Sequence, residues 1–185
     1  NYTEALRFVK QVQYDIGAMG SAVSSSRDTG ILYSYPLYYT RWVVVQNRRN
    51  SSRIESIDQL RGYEIMVSPG SPAAGYLKKL CDSLNLFIRI TEWEDKSPQD
   101  LLWMISNKQL TLTVMEQHIV QVASRYMPNL DYSFYLSEEL PVCWALPGNA
   151  IYLHIEINQW LKLFKQQDLF HYLYHRYYKS PPYTS

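Results

Sequence analysis

The residues Asp15-Ile-Gly-Ala-Met-Gly-Ser-Ala-Val-Ser-Ser-Ser-Arg27, followed by Tyr33-Ser-Tyr-Pro36-Leu-Tyr-Tyr39 and Trp42-Val-Val-Val45, decide how this chain reads. A short apolar strand from Tyr14 to Met19 runs into a loop of small residues. A Pro-broken aromatic segment follows, then a second strand of β-branched residues. The loop gathers the hydroxyls of Ser24, Ser25 and Ser26 around one guanidinium, Arg27. Such a set suits a carboxylate or a phosphate, because the planar fork of arginine holds two oxygens at once. The same residues also describe an ordinary exposed polar turn, and a short motif alone does not separate the two.

Around this stretch, 185 residues suffice for one ordinary domain or for two small lobes sharing a chain. A hydrophobic content of 46% against 19% charged residues describes a globular protein with a real core, not a disordered one. The net charge of +1 gives no electrostatic ground for nucleic acid or an anionic membrane as partner, so no nucleic acid is expected. The 17 Tyr and 5 Trp pair flat apolar bodies with polar tips, which suits a ligand cleft, a strand or an interface. Cys81 and Cys143 lie far apart and form no metal or redox spacing. They read as small buried hydrophobes, with a mutual disulfide left open. No run is long and apolar enough to span a bilayer. The chain starts at Asn1 without an export signal, which reads as a processed or excised start.

Farther along, Thr3 is placed to cap a first helix carrying Leu6 and Val9, and Asn47–Arg53 is a solvated basic loop. A strand from Tyr63 to Ser68 leads into Pro69-Gly70-Ser71-Pro72 and a helix to Leu84. Ser71 fits the N-cap and Pro72 the first helical position, so open amides and the helix dipole make this turn a local anion site. An ordinary capped strand-to-helix connection has the same pattern. Phe87 to Trp93 is a further strand, ending in the acidic loop Glu92-Trp-Glu-Asp95. Ser97-Pro98-Gln99-Asp100 opens a helix packed through Leu101, Leu102, Met104 and Ile105. Leu110–Glu116 is a strand, Ile119–Tyr126 a helix and Glu139–Leu146 a strand. Two closing helices, marked by Leu153, Ile157, Trp160, Leu161 and Phe164 and then by Asp168, Leu169, Leu173 and Tyr177, should turn their apolar stripes to the core. His171 and His175 stand one helical turn apart. No glutamate completes a metalloprotease pattern and no third ligand follows, so no metal is expected. Neither a nucleophile elbow nor a phosphate loop occurs, and the chain reads as a non-enzyme without a cofactor.

Taken together, these segments resemble the signature of the periplasmic solute-binding proteins of family 3, the amino-acid-binding type. The matching residues are Tyr14-Asp15-Ile16, Val23-Ser24-Ser25-Ser26-Arg27 and Tyr33-Ser34-Tyr35-Pro36-Leu37-Tyr38, with the Arg-to-Pro spacing kept. Ser24 stands for the family's threonine, and Ser25-Ser26 replaces its Pro-Glu pair. Ile57-Asp-Gln-Leu60-Arg-Gly62 resembles the turn before the second lobe's first strand. The resemblance implies that Gly70 and Ser71 contact a ligand carboxylate from that lobe. It also implies that Glu116, standing for the family's Asp, meets the ligand's amino group with one methylene more reach. Tyr39–Gln46, Leu112–Glu116 and Met127–Asp131 are similar to the N-terminal regulatory domain of the membrane-bound lytic murein transglycosylases of type F. The family's opening strand, helix and strand have no counterpart here.

The resemblance therefore implies an α/β, two-lobed, type II periplasmic-binding-protein-like fold, with the second lobe inserted into the first. Residues 1–45 with 140–185 form lobe one, and 46–139 form lobe two. The expected function is recognition of an amino acid, small peptide or cell-wall fragment in an interlobe cleft, as a transport receptor or a regulatory sensor. The expected ligand-binding residues are Ser24, Arg27, Gly70, Ser71 and Glu116. Peptidoglycan, a membrane transporter and a second copy of the chain are the further partners it allows, in the periplasm or cell envelope. The competing reading is a solute-binding-like scaffold that has lost its small-molecule ligand.

Overall fold

In the computed structural model, which describes residues 2–22 and 30–179, the chain opens with helix α1 (Tyr2–Lys10). Thr3, expected as its cap, lies inside it. The residues after α1 fold back on the helix: Gln13 N–H donates to Phe8 O at 2.9 Å, and the Tyr14 ring meets Phe8 edge-on at 5.4 Å. That return delays strand β1 to Gly17–Ala22, later than the Tyr14–Met19 span expected. Strands β2 (Ile31–Tyr33) and β3 (Tyr38–Thr40) flank the Pro36 break. These elements belong to the first of two compact units, formed by residues 2–40 with 139–179; the other is Arg41–Glu138.

The second unit is built on β4 (Trp42–Asn47), whose six residues are all buried. A 3₁₀ turn at Ile57–Leu60 precedes β5 (Glu64–Val67), which feeds helix α2 (Pro72–Leu84). Then come β6 (Arg89–Glu92), α3 (Pro98–Ser106), β7 (Leu112–Glu116), α4 (Gln117–Ala123) and β8 (Leu130–Tyr135). Strand β4 is central in an antiparallel sheet of order β7-β4-β8, while β5 and β6 pair in parallel. Val43 and Val45 of β4 pack with Leu102 and Ile105 of α3, Met115 of β7, Val120 of α4 and Leu130 of β8. A β-branched run buried on both faces reads as a near-continuous apolar string, as it does here.

Two polar residues end β4 inside this core, and both are fully bonded. Gln46 exchanges hydrogen bonds with the Ile54 backbone at 2.8 and 3.1 Å and donates to Asp131. Arg53 Nη2 lies 2.6 Å from the same Asp131 carboxylate. Burial alone would raise the Asp131 carboxyl, but hydrogen bonds from Ser133 and the Arg53 charge outweigh it and hold it below the usual range. Asn47 donates to the last carbonyls of α3, Ile105 O and Ser106 O, each at 2.9 Å. Near the start of β4, Trp42 stacks on Tyr76 at 5.1 Å, and the Tyr76 hydroxyl donates to Leu136 O at 2.6 Å. Burial pushes that phenol up to about 12.

The chain re-enters the first unit with β9 (Leu140–Pro147), the strand on which that unit is assembled. Strands β1, β2 and β3 all pair with it antiparallel. Ser34 bridges the gap between β2 and β3: its N–H donates to Trp144 O, and its hydroxyl accepts from Trp144 N–H at 3.0 Å. Helix α5 (Ile151–Phe164) clamps the same break. Asn158 Oδ1 accepts from Tyr35 N–H at 2.6 Å, His154 Nε2 lies 2.8 Å from Tyr33 O, and Lys165 just past the helix donates to Pro36 O. The Tyr33–Tyr39 segment thus holds the fold through its backbone groups and the Ser34 hydroxyl.

Of the stripe expected on α5, Ile157 and Leu161 are buried against Leu146, while Trp160 stays half exposed. Helix α6 (Asp168–Tyr174) starts at Asp168 with Gln167 as its N-cap, and a π-helical turn, His175–Lys179, continues it. It buries none of its residues; Leu169 is 53% and Tyr177 58% exposed. The expected apolar stripe is replaced by a chain of rings running Trp144, Trp160, Phe164, Phe170, Tyr174, Tyr178 and Tyr38, with successive centroids 4.7–6.3 Å apart. Both cysteines carry free thiols, and burial pushes Cys143 up to about 11. Among the described residues no helix is long and apolar enough to cross a membrane.

Candidate ligand-binding site

The turn after β5 is built as its sequence dictates. Ser71 N–H donates to Ser68 O at 3.1 Å, Pro69 takes the second position, and Gly70 the third at φ +62°. This is a type II turn, whose third residue needs the left-handed region that glycine enters freely. Ser71 then caps α2, its hydroxyl accepting from Ala73 N–H at 3.2 Å, and Pro72 opens the helix. Within the turn, Gly70 N–H donates to the Glu92 carboxylate at 3.0 Å. The hydroxyl of Ser68 is buried without a hydrogen-bond partner among the described residues, an arrangement that costs roughly 1–3 kcal/mol.

Glu116 ends β7, directly across the ladder from Trp42, and is buried. Its Oε2 lies 3.9 Å from Nε2 of His118, the second residue of α4. Burial pushes His118 down to about 4, so the imidazole is neutral near pH 7 and this contact is not an ion pair there. Strand β7 is tied to β5 by the Thr113 hydroxyl, which donates to Met66 O. Of the residues expected to bind, Gly70, Ser71 and Glu116 therefore lie in one unit, two in one turn and the third at the end of the strand braced against it. Ser24 and Arg27 lie outside the described residues.

Sequence reasoning missed Glu92 and His118. The signal for Glu92 was the acidic tip of the strand that pairs in parallel with β5. Register sets Val67 beside Glu92 and so brings a carboxylate to the turn.

An α/β protein of two units, one inserted in the sequence of the other, with a strand–turn–helix connection opening α2, has the type II periplasmic binding protein fold. An ancestral arginine-binding protein bound to arginine superposes with a TM-score of 0.79 at 15% identity, covering 96% of this chain and 77% of that one. The GluR0 ligand-binding core from Nostoc punctiforme in complex with L-glutamate gives 0.79 at 20% identity, covering 97% and 80%. At such identities the likeness is one of fold.

In sequence, the chain resembles membrane-bound lytic murein transglycosylase F of Shewanella baltica, with 30% identity over 149 residues. That match covers 80% of this chain and 30% of the relative, so the chain spans about a third of the length of the curated relatives it matches. No protein-family model matches the chain.

Proposed function

We propose that this chain is an extracytoplasmic ligand-binding module, in the periplasm or cell envelope, that recognises an amino acid, a small peptide or a cell-wall fragment. The observation that carries this reading is a fold shared over nearly the whole chain with proteins solved holding arginine and glutamate. Those two ligands differ in side-chain charge and share an α-carboxylate and an α-amino group. The residues we assign to ligand contact suit that shared part. Ser24, Arg27, Gly70 and Ser71 offer donors to a carboxylate, and Glu116 offers an acceptor to an ammonium group. As part of a longer protein the module serves as the sensor of a lytic transglycosylase, with peptidoglycan as the partner; standing alone it delivers a solute to a membrane transporter. No catalytic step is assigned to it.

A second reading, an interaction scaffold without a small ligand, is favoured by one observation: the amide of Gly70 already carries the chain's own carboxylate, Glu92. A thermal-shift panel of L-amino acids and muropeptides separates the two. A ligand at a hundred times its dissociation constant adds about 2.7 kcal/mol of stability, a shift well above noise. A panel without any shift, on protein that unfolds cooperatively, overturns the first reading in favour of the second.

A further inference from the structure

Glu92 sits at the exposed end of β6, and a parallel ladder delivers it to the turn. Val67 pairs with Glu92, and Trp93 N–H donates to Val67 O at 3.0 Å just beyond. Its carboxylate accepts the Gly70 N–H at 3.0 Å. A carboxylate is the group this turn is suited to hold, and the chain supplies one itself. We propose that Glu92 is an internal occupant of the Gly70 amide and hence a specificity-determining residue: an incoming carboxylate has to displace it before using that amide.

The inference rests on the ligand-binding reading above and adds a selection rule to it. A tethered group competes at an effective concentration that a free ligand must match. Two carboxylates on one N–H also repel each other at contact distance. Because Glu92 is exposed, its hold is weak enough for a ligand to break. A ligand carrying a cationic group close to its carboxylate pairs with the displaced Glu92 and is preferred. A plain monocarboxylate has nothing to offer Glu92 and is discriminated against.

Amide-resolved NMR of the chain, following the Gly70 resonance while sodium acetate is added, tests this without an identified ligand. The parent is compared with Glu92→Gln and Glu92→Ala, both at an exposed site. Acetate is expected to move Gly70 in Glu92→Ala at a concentration lower by roughly threefold or more than in the parent, with Glu92→Gln in between. Equal responses in parent and Glu92→Ala, or none in either, overturn the proposal. Running the amino-acid panel on the same three proteins keeps the two readings apart. If nothing binds while Gly70 answers acetate as expected, the solute-binding reading falls and the occupancy by Glu92 stands. If an amino acid binds the parent while Gly70 answers acetate equally in the parent and Glu92→Ala, displacement is refuted and the solute-binding reading stands.

Discussion

His118 is buried beside Glu116, and the pH response of the fold should carry its mark. Its folded value of about 4 lies below the ordinary 6.5, so the unfolded chain takes up a proton that the folded one refuses. The stability this confers is fully present above pH 6.5 and is lost as the pH falls from there toward 4. Between about pH 7.5 and about pH 5 the loss is on the order of 2 kcal/mol, softened if the imidazolium pairs with Glu116. Denaturant titrations at the two pH values should show this slope in the parent and a flatter one in His118→Gln. At this scale the sequence was legible where chemistry is local. Pro69-Gly70-Ser71-Pro72 dictates its own turn and cap, and both are present. Glu92 and His118 were not legible, because their neighbours come from other strands and from burial that no local pattern encodes.

Among the elements, the join of β4 to α3 makes the sharpest prediction. Asn47 satisfies the Ile105 and Ser106 carbonyls at the end of α3 and accepts from Arg49 N–H at 2.9 Å. Helix ends leave their last carbonyls without partners of their own, so the asparagine substitutes for a cap. Asn47→Ala should cost roughly 1–3 kcal/mol for the Ser106 carbonyl it deprives of its donor, while Ile105 O keeps the Lys108 N–H at 3.0 Å; the loss is read as a lower urea midpoint with an unchanged slope. Helix α3 was legible from Ser97 to Asp100, whose side chains exchange the two bonds of a capping box. Strand β8 was not, since it places Asp131 in the core, where Gln46 and Arg53, some eighty residues away, join the nearby Ser133 in making that burial tolerable. The helical stripe on α6 misled for a related reason. Aromatic side chains at helical spacing can satisfy one another ring to ring, and periodicity does not say whether the partner is a core or a neighbour.

For the whole molecule, the function proposed here turns on Arg27. Once a ligand emerges from the panel, Arg27→Ala should weaken its binding by about tenfold to a hundredfold, the worth of one charge-assisted hydrogen bond. Arg27→Lys should lose less, but still measurably, because a point charge does not replace a bidentate fork. Calorimetry decides it, and unchanged affinity in Arg27→Ala would remove that residue from the ligand site. The α/β class and the insertion of one unit in the other were readable because the motifs recur in order along most of the chain.

That insertion has a consequence for how the protein is made. Strands β1, β2 and β3 all take their hydrogen bonds from β9, and Tyr38 waits for Val142, which leaves the ribosome about a hundred residues later. At roughly 5–20 residues per second, that is several seconds in which three synthesised strands have no partner of their own. Arg41–Glu138, by contrast, has all its sheet partners in hand before β9 exists. The unit encoded in the middle can therefore fold first, and the one built from the segments on either side of it closes last around a strand it has had to wait for.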